Sequence, residues 1–183
     1  MRFAFKLTLL VTTLILTLVL IPQVFAYQFL GGRWPNQKVS NLKTYVYSPS
    51  PVEDEYTYAM ESWNDASTPV YFVRVMYWQD FYVNSVAVDE PEAGWVGMVA
   101  IYPDPYEYPY EYADVKLNLH YVLDYSSEKI QAVAAHEYGH VLGLAHEYYP
   151  WVLMYPYLNI FYDIYGVYTP QQDDIDGVND LYS

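Results

Sequence analysis

Three of the four histidines in this 183-residue chain fall within eleven positions, in the run His136-Glu137-Tyr138-Gly139-His140-Val141-Leu142-Gly143-Leu144-Ala145-His146. That spacing dictates local structure. His136 and His140 are four apart, so on a helix both imidazoles leave one face and can grip one ion. Gly143 lets the backbone leave the helix by a left-handed turn. The chain then bends back and brings His146 to the same ion. Glu137 lies one residue on from His136, about a quarter-turn away. Its carboxylate can reach a metal-activated water without being a ligand, which is what a general base needs. Three nitrogens leave a fourth position open, the mark of a catalytic rather than a structural zinc site. Incidental histidines on a helix would not explain why three of four crowd into so short a run.

The rest of the chain reads as an α+β domain. Residues 1–26 form a secretory signal by pattern: Arg2 and Lys6, an apolar run from Leu7 to Ile21, then Val24-Phe25-Ala26 as a small-x-small cleavage site. The rival reading is an uncleaved anchor, though fifteen apolar residues are short for a span of ~20. The domain then occupies residues 27–183. Strands are expected at Thr44–Tyr47, Val70–Tyr77, Asn84–Val88, Gly97–Tyr102 and Val115–Val122. A helix opens at the capping box Ser50-Pro51-Val52-Glu53 and runs to about Ser67. A second is capped by Ser126 or Ser127 and ends at Gly143. A third follows Thr169-Pro170 and reaches Leu181. The Tyr/Pro/Glu stretch from Pro103 to Tyr112 is expected to be a surface loop.

Charge and cysteine content narrow the partners. The chain carries 8 Lys+Arg against 22 Asp+Glu, a net of −14. Removing residues 1–26 takes away Arg2 and Lys6 and no acid, leaving 6 against 22, a net of −16. Such a field repels nucleic acid and anionic membranes. No nucleic-acid partner is expected, and a membrane only if the leading segment is retained. There is no cysteine, so disulfides are excluded and packing, with or without metals, must hold the domain. Tyrosine is abundant, 24 of 183, offering apolar area with a polar tip.

With these residues in view, the sequence resembles the metzincin metallopeptidases and, within them, the matrixins. Val152-Leu153-Met154-Tyr155-Pro156 looks like the matrixin Met-turn, which places Met154 beneath the histidines. Gln171-Gln172-Asp173-Asp174-Ile175-Asp176-Gly177-Val178 with Leu181-Tyr182 resembles the last catalytic-domain helix. Gly97-Met98-Val99-Ala100 resembles the substrate-binding edge strand. The resemblance covers about Trp63 to Tyr182. It implies a zincin fold: a twisted, mostly parallel sheet with one antiparallel edge strand, packed with about three helices. It implies one catalytic zinc on His136, His140 and His146, with Glu137 as the base, and a peptide or protein substrate lying along Gly97–Tyr102. Its next side chain would enter a pocket near Pro156.

Departures from the family are informative. Glu147 follows the third histidine where matrixins carry a small residue, as in astacins. Pro156-Tyr157-Leu158 sets Tyr one position early for the usual Pro-x-Tyr pocket wall. Without cysteine there is no cysteine switch. Ile101 stands where animal matrixins place a ligand for a second, structural zinc, and His120 alone does not make a site. Asp89, Glu90, Glu92, Asp104 and Asp114 are candidates for calcium, with solvated loop charge as the plainer account. The expected protein is a secreted, monomeric zinc endopeptidase. The alternative is a non-proteolytic, secreted or anchored surface-binding protein that keeps the zinc site.

Overall fold

The computed structural model describes residues 27–47, 50–77 and 80–183. The leader expected at residues 1–26 lies outside the described residues. Five strands form one sheet: β1 (Leu42–Val46), β2 (Phe72–Val75), β3 (Val83–Val88), β4 (Gly97–Tyr102) and β5 (Tyr112–Asn118). The order across the sheet is β2-β1-β3-β5-β4. The β1/β2, β1/β3 and β3/β5 pairs are parallel, and β4 runs antiparallel to β5 at the edge. The register places Met98 opposite Lys116 and Tyr102 opposite Tyr112. This is the expected mostly parallel sheet with one antiparallel edge strand.

Three long helices pack with it: α2 (Glu53–Asn64), α4 (Ser127–Val141) and α6 (Gln172–Tyr182). Three four-residue helices were not expected: α1 (Asn36–Val39), α3 (Leu119–Val122) and α5 (Leu158–Phe161). No helix among the described residues is long and apolar enough to cross a membrane.

Several boundaries differ from the sequence reading, each for a visible reason. The strand expected through Val122 stops at Asn118, and His120 sits in α3 instead. Asn118 is fully buried and turns the chain. Its Oδ1 accepts from His120 N–H at 3.2 Å and Glu90 N–H at 3.0 Å, while its Nδ2 donates to Glu90 O at 2.8 Å and Trp95 O at 3.2 Å. The expected box at Ser50–Glu53 does not form, because Glu53 is taken by an ion pair with Arg74 of β2. Ser50 Oγ accepts from Val52 N–H at 3.3 Å, and α2 begins at Glu53 with Val52 as its cap and no side-chain cap bond. At α6 the cap is Gln171 rather than Thr169, with Gln171 and Asp174 forming the reciprocal box.

The core lies between the sheet and α2 and α4, and it is rich in aromatic rings whose polar tips find partners. Trp63 Nε1 donates to Ala135 O at 2.9 Å and Trp34 Nε1 to Val141 O at 2.8 Å, both on α4. Tyr56 donates to Val86 O at 2.8 Å and Tyr182 to Leu142 O at 2.9 Å. Burying a ring is favourable only when its polar atom is satisfied. Here backbone carbonyls do that, and each bond ties a helix to a neighbouring element.

The buried hydroxyls of Ser85 on β3 and Tyr138 on α4 pair at 2.8 Å. Tyr138→Phe strands the Ser85 hydroxyl and should cost about 1–3 kcal/mol. The Ser85→Ala/Tyr138→Phe double variant should cost less than the two single losses combined. Urea unfolding of the metal-free proteins measures both.

Candidate metal centre and cleft

Helix α4 is capped by Ser126, whose Oγ accepts from Lys129 N–H at 3.3 Å, and it is buried along most of its length. His136 and His140 leave one face with ring centroids 4.8 Å apart. The helix ends as its glycine requires: Gly143 has φ +97°, and a Cβ there would meet Leu181 at 2.8 Å and Gly32 O at 3.0 Å. The following residues pair antiparallel with the entry segment. Leu30 N–H donates to Gly143 O at 2.9 Å, Phe29 bridges Leu144, and Ala145 N–H donates to Gln28 O at 2.8 Å. That short pairing fixes the return path and delivers His146, whose ring centroid lies 5.2 Å from that of His136 and 4.8 Å from that of His140.

The ring orientations suit a cation. His136 Nδ1 lies 2.7 Å from Leu153 O and His140 Nδ1 lies 2.8 Å from Leu144 O. A carbonyl can only accept, so both Nδ1 atoms carry the proton and both Nε2 atoms keep a lone pair. His140 Nε2 and His146 Nε2 are 3.2 Å apart. Two nitrogens at ~2.05 Å from a tetrahedral zinc stand about 3.3 Å apart, so the spacing fits. One ligand atom from each of the three residues lies within 4.8 Å of the others. Among the described residues this is the one such group of three or more His, Cys, Asp or Glu. Burial lowers the pKa of all three, well below the ordinary range for His136 and to about 4 for His140. Neutral imidazoles are what a metal requires.

Glu137 is buried and lines cavities on either side of the triad. Burial pushes its carboxyl up to about 8. It lies against the edge strand: a Cβ on Gly97 would stand 2.6 Å from Glu137 Oε1 and 2.6 Å from Val133. The first residue of β4 is therefore a glycine for lack of space. One cavity, about 440 Å³, runs from the triad past Val133 towards Lys129 and is walled by Pro156, Leu158 and Phe161. The other, about 530 Å³, lies between β4, Phe29–Leu30 and Pro105–Tyr106.

The floor is a loop held from below. Met154 is buried beneath α4, where a side chain on Gly139 would overlap its sulfur. Asp174 holds this loop. Its carboxylate accepts from Leu153 N–H at 3.0 Å, Met154 N–H at 3.1 Å and Gln171 N–H at 2.8 Å. Burial nevertheless pushes it up to about 6. Glu147 N–H donates to Met154 O at 2.9 Å. The Glu147 side chain is buried, with Oε1 accepting from Tyr148 N–H at 2.5 Å and Oε2 the one buried side-chain oxygen without a partner among the described residues.

All four residues singled out in the sequence, His136, Glu137, His140 and His146, are thus brought together. Sequence reasoning missed Phe161, which stacks on His136 at 5.7 Å and 8°, and gave no role to Asp174. It also missed the carbonyls of Leu144 and Leu153, which no side-chain pattern reveals. His120 lies away from the triad, exposed, with Nδ1 4.0 Å from Asp89. Of the acids considered for calcium, Asp114 Oδ1 accepts from Asn84 and Tyr112, and Asp104 Oδ1 accepts from Tyr106 N–H.

Comparison with solved structures gives the same architecture. High choriolytic enzyme 1, a hatching enzyme zinc-protease from Oryzias latipes, matches with a TM-score of 0.50 at 14% identity, covering 84% of this chain and 94% of that one. The fold is that of the metzincin zinc proteases. The family model for Matrixin, Peptidase_M10, matches residues 36–183, and the chain belongs to the matrixin family. It is 52% identical over 50 residues to human neutrophil collagenase and 50% identical over 50 residues to human matrix metalloproteinase-20, in each case 27% of this chain. It is also 42% identical over 59 residues, 32% of this chain, to bovine interstitial collagenase. The chain spans about a tenth of the length of these curated relatives: 10%, 10% and 12%.

Two outcomes follow. Asp174→Ala leaves the buried Leu153 and Met154 N–H groups bare and should lose about 2–4 kcal/mol, read by denaturant unfolding of the metal-free protein. Glu137 has a folded pKa of about 8, raised from 4.5. In the metal-free protein its contribution is fully present below about pH 4.5 and lost as pH rises towards 8. Metal-free Glu137→Gln should therefore match the parent's thermal stability at pH 4 and exceed it at pH 8, by on the order of 1–4 kcal/mol.

Proposed function

We propose that this protein is a secreted zinc endopeptidase in which His136, His140 and His146 hold the metal and Glu137 is the general base. The observation that carries it is the convergence of three imidazoles, two with Nε2 free by virtue of their backbone bonds, beside a buried carboxyl that faces both halves of an open cleft. Zinc, when bound there, supplies Lewis acidity towards a water and towards the scissile carbonyl. Glu137 takes the proton of the attacking water and returns it to the leaving amine nitrogen. Burial raises this carboxyl in the metal-free site and the charge of a bound cation opposes that rise, so Glu137 can accept a proton and later release it. The substrate backbone lies along β4, which has β5 on one side only, and pairs with its free edge as an added strand. The side chain after the cut enters the cavity beyond His136. Residues 1–26 act as the export signal, and the mature chain works as a monomer.

The test is cleavage of unfolded casein with and without a chelator, with two variants beside the parent. Glu137→Gln should bind zinc nearly as well and lose activity by about 10³–10⁴-fold, the upper end of general-base contributions. His140→Ala should lose metal and activity together. A Glu137→Gln protein retaining most of the parent rate would overturn the mechanism, and zinc-loaded parent without peptidase activity would overturn the function.

A further inference from the structure

The cavity beyond His136 ends on a cation. Lys129, Val133 and His136–Glu137 are four and seven to eight residues apart on α4 and line the same cavity. At 1.5 Å per residue the pocket follows the helix for about 10 Å. Its walls near the triad are apolar: Val133, Leu158 and Phe161. At the far end stands Lys129, the one Lys or Arg among the described residues that lines either cavity beside the triad, in a chain with only 8 such residues against 22 acids. The lysine is held in place. Its side chain is only 18% exposed. Its ammonium donates to Asp163 Oδ1 at 2.8 Å and Oδ2 at 2.9 Å and lies 4.5 Å from the Tyr125 ring centroid and 5.8 Å from that of Tyr162. Lys129 and Tyr125 line the cavity and Asp163 does not, so the acceptor that holds the ammonium lies outside the pocket lining. An ammonium has three N–H donors. Two of them go to Asp163, the one acceptor of this ammonium among the described residues, which leaves the third for a substrate oxygen.

We propose that Lys129 is a specificity-determining residue: the pocket takes a long side chain that ends in an oxygen acceptor, Gln or Glu, and rejects Lys and Arg. This rests on the cleft being a peptide site. It also sets the pocket against the rest of the molecule. The negative surface draws basic peptides in, while the position after the scissile bond excludes a basic side chain.

The experiment uses zinc-loaded protein and peptides identical except for Gln, Glu or Lys after the cut. Their kcat/KM values are measured with the parent, and their affinities with the zinc-loaded Glu137→Gln protein, where no turnover is needed. The Lys peptide should fall at least tenfold below the Gln peptide in both. Lys129→Arg should keep that ratio and Lys129→Met should raise Lys over Gln at least tenfold. Asp163→Asn, which leaves the lysine in place but bares its charge, should raise Glu over Gln. Equal binding of Lys and Gln peptides to the Glu137→Gln protein, or a ratio unmoved by Lys129→Met, overturns the proposal. The expected order of affinities without cleavage by the parent would instead remove the peptidase reading and leave the pocket assignment standing.

Discussion

The site depends on one residue's two backbone groups pointing opposite ways. The carbonyl of Leu153 accepts from His136 Nδ1 at 2.7 Å, and its N–H donates to Asp174 at 3.0 Å. The first bond fixes the tautomer and tilt of an imidazole, and the second fixes the loop that makes the first. Met154 adds its own N–H to Asp174, its carbonyl to Glu147 and its sulfur to the space beneath Gly139. A metal ligand is only as well placed as the group that holds its other nitrogen. Here that group belongs to a loop with no regular structure, which a buried carboxylate must hold in place.

Much of this was legible in the sequence, and the limits of legibility have physical causes. The edge strand was found at its observed bounds, Gly97–Tyr102, because its apolar run is bracketed by glycine and proline. The triad was legible because side-chain spacing on a helix is fixed by its pitch. The cap of α2 was misplaced because Glu53 pairs with the distant Arg74, and that of α6 because Gln171, not Thr169, shares the reciprocal box with Asp174. The end of β5 was missed because Asn118 serves four hydrogen bonds, to Glu90, Trp95 and His120, that only the fold brings near. Phe161 sits 25 positions after His136 in a four-residue helix without a side-chain cap, so nothing local marks it.

The tyrosine content also has a structural meaning. In a chain without cysteine, cross-linking must come from non-covalent bonds between elements. Tyr56, Tyr138 and Tyr182 each bury a ring in the core and bond a neighbouring element with the hydroxyl. Burial raises all three phenols well above their usual range, which keeps them neutral and able to donate. Exposed tyrosines such as Tyr106 and Tyr148 lie in loops and bury no ring in the core.

The ends of the domain meet behind the cleft. Arg33 Nη1 donates to Leu181 O at 2.5 Å, Tyr27 OH donates to Asp180 at 3.0 Å, and Trp34 N–H reaches Tyr182 OH at 3.3 Å. With Asp174 on the same helix, the loop under His136 is tied to a helix that follows it in the chain. The ring of His136 is therefore oriented from later in the chain, while His140 takes its bond from Leu144 and His146 its path from pairing with Gln28–Leu30. The three rings are thus set from both before and after the histidine run, so the centre belongs to the whole fold rather than to one helix.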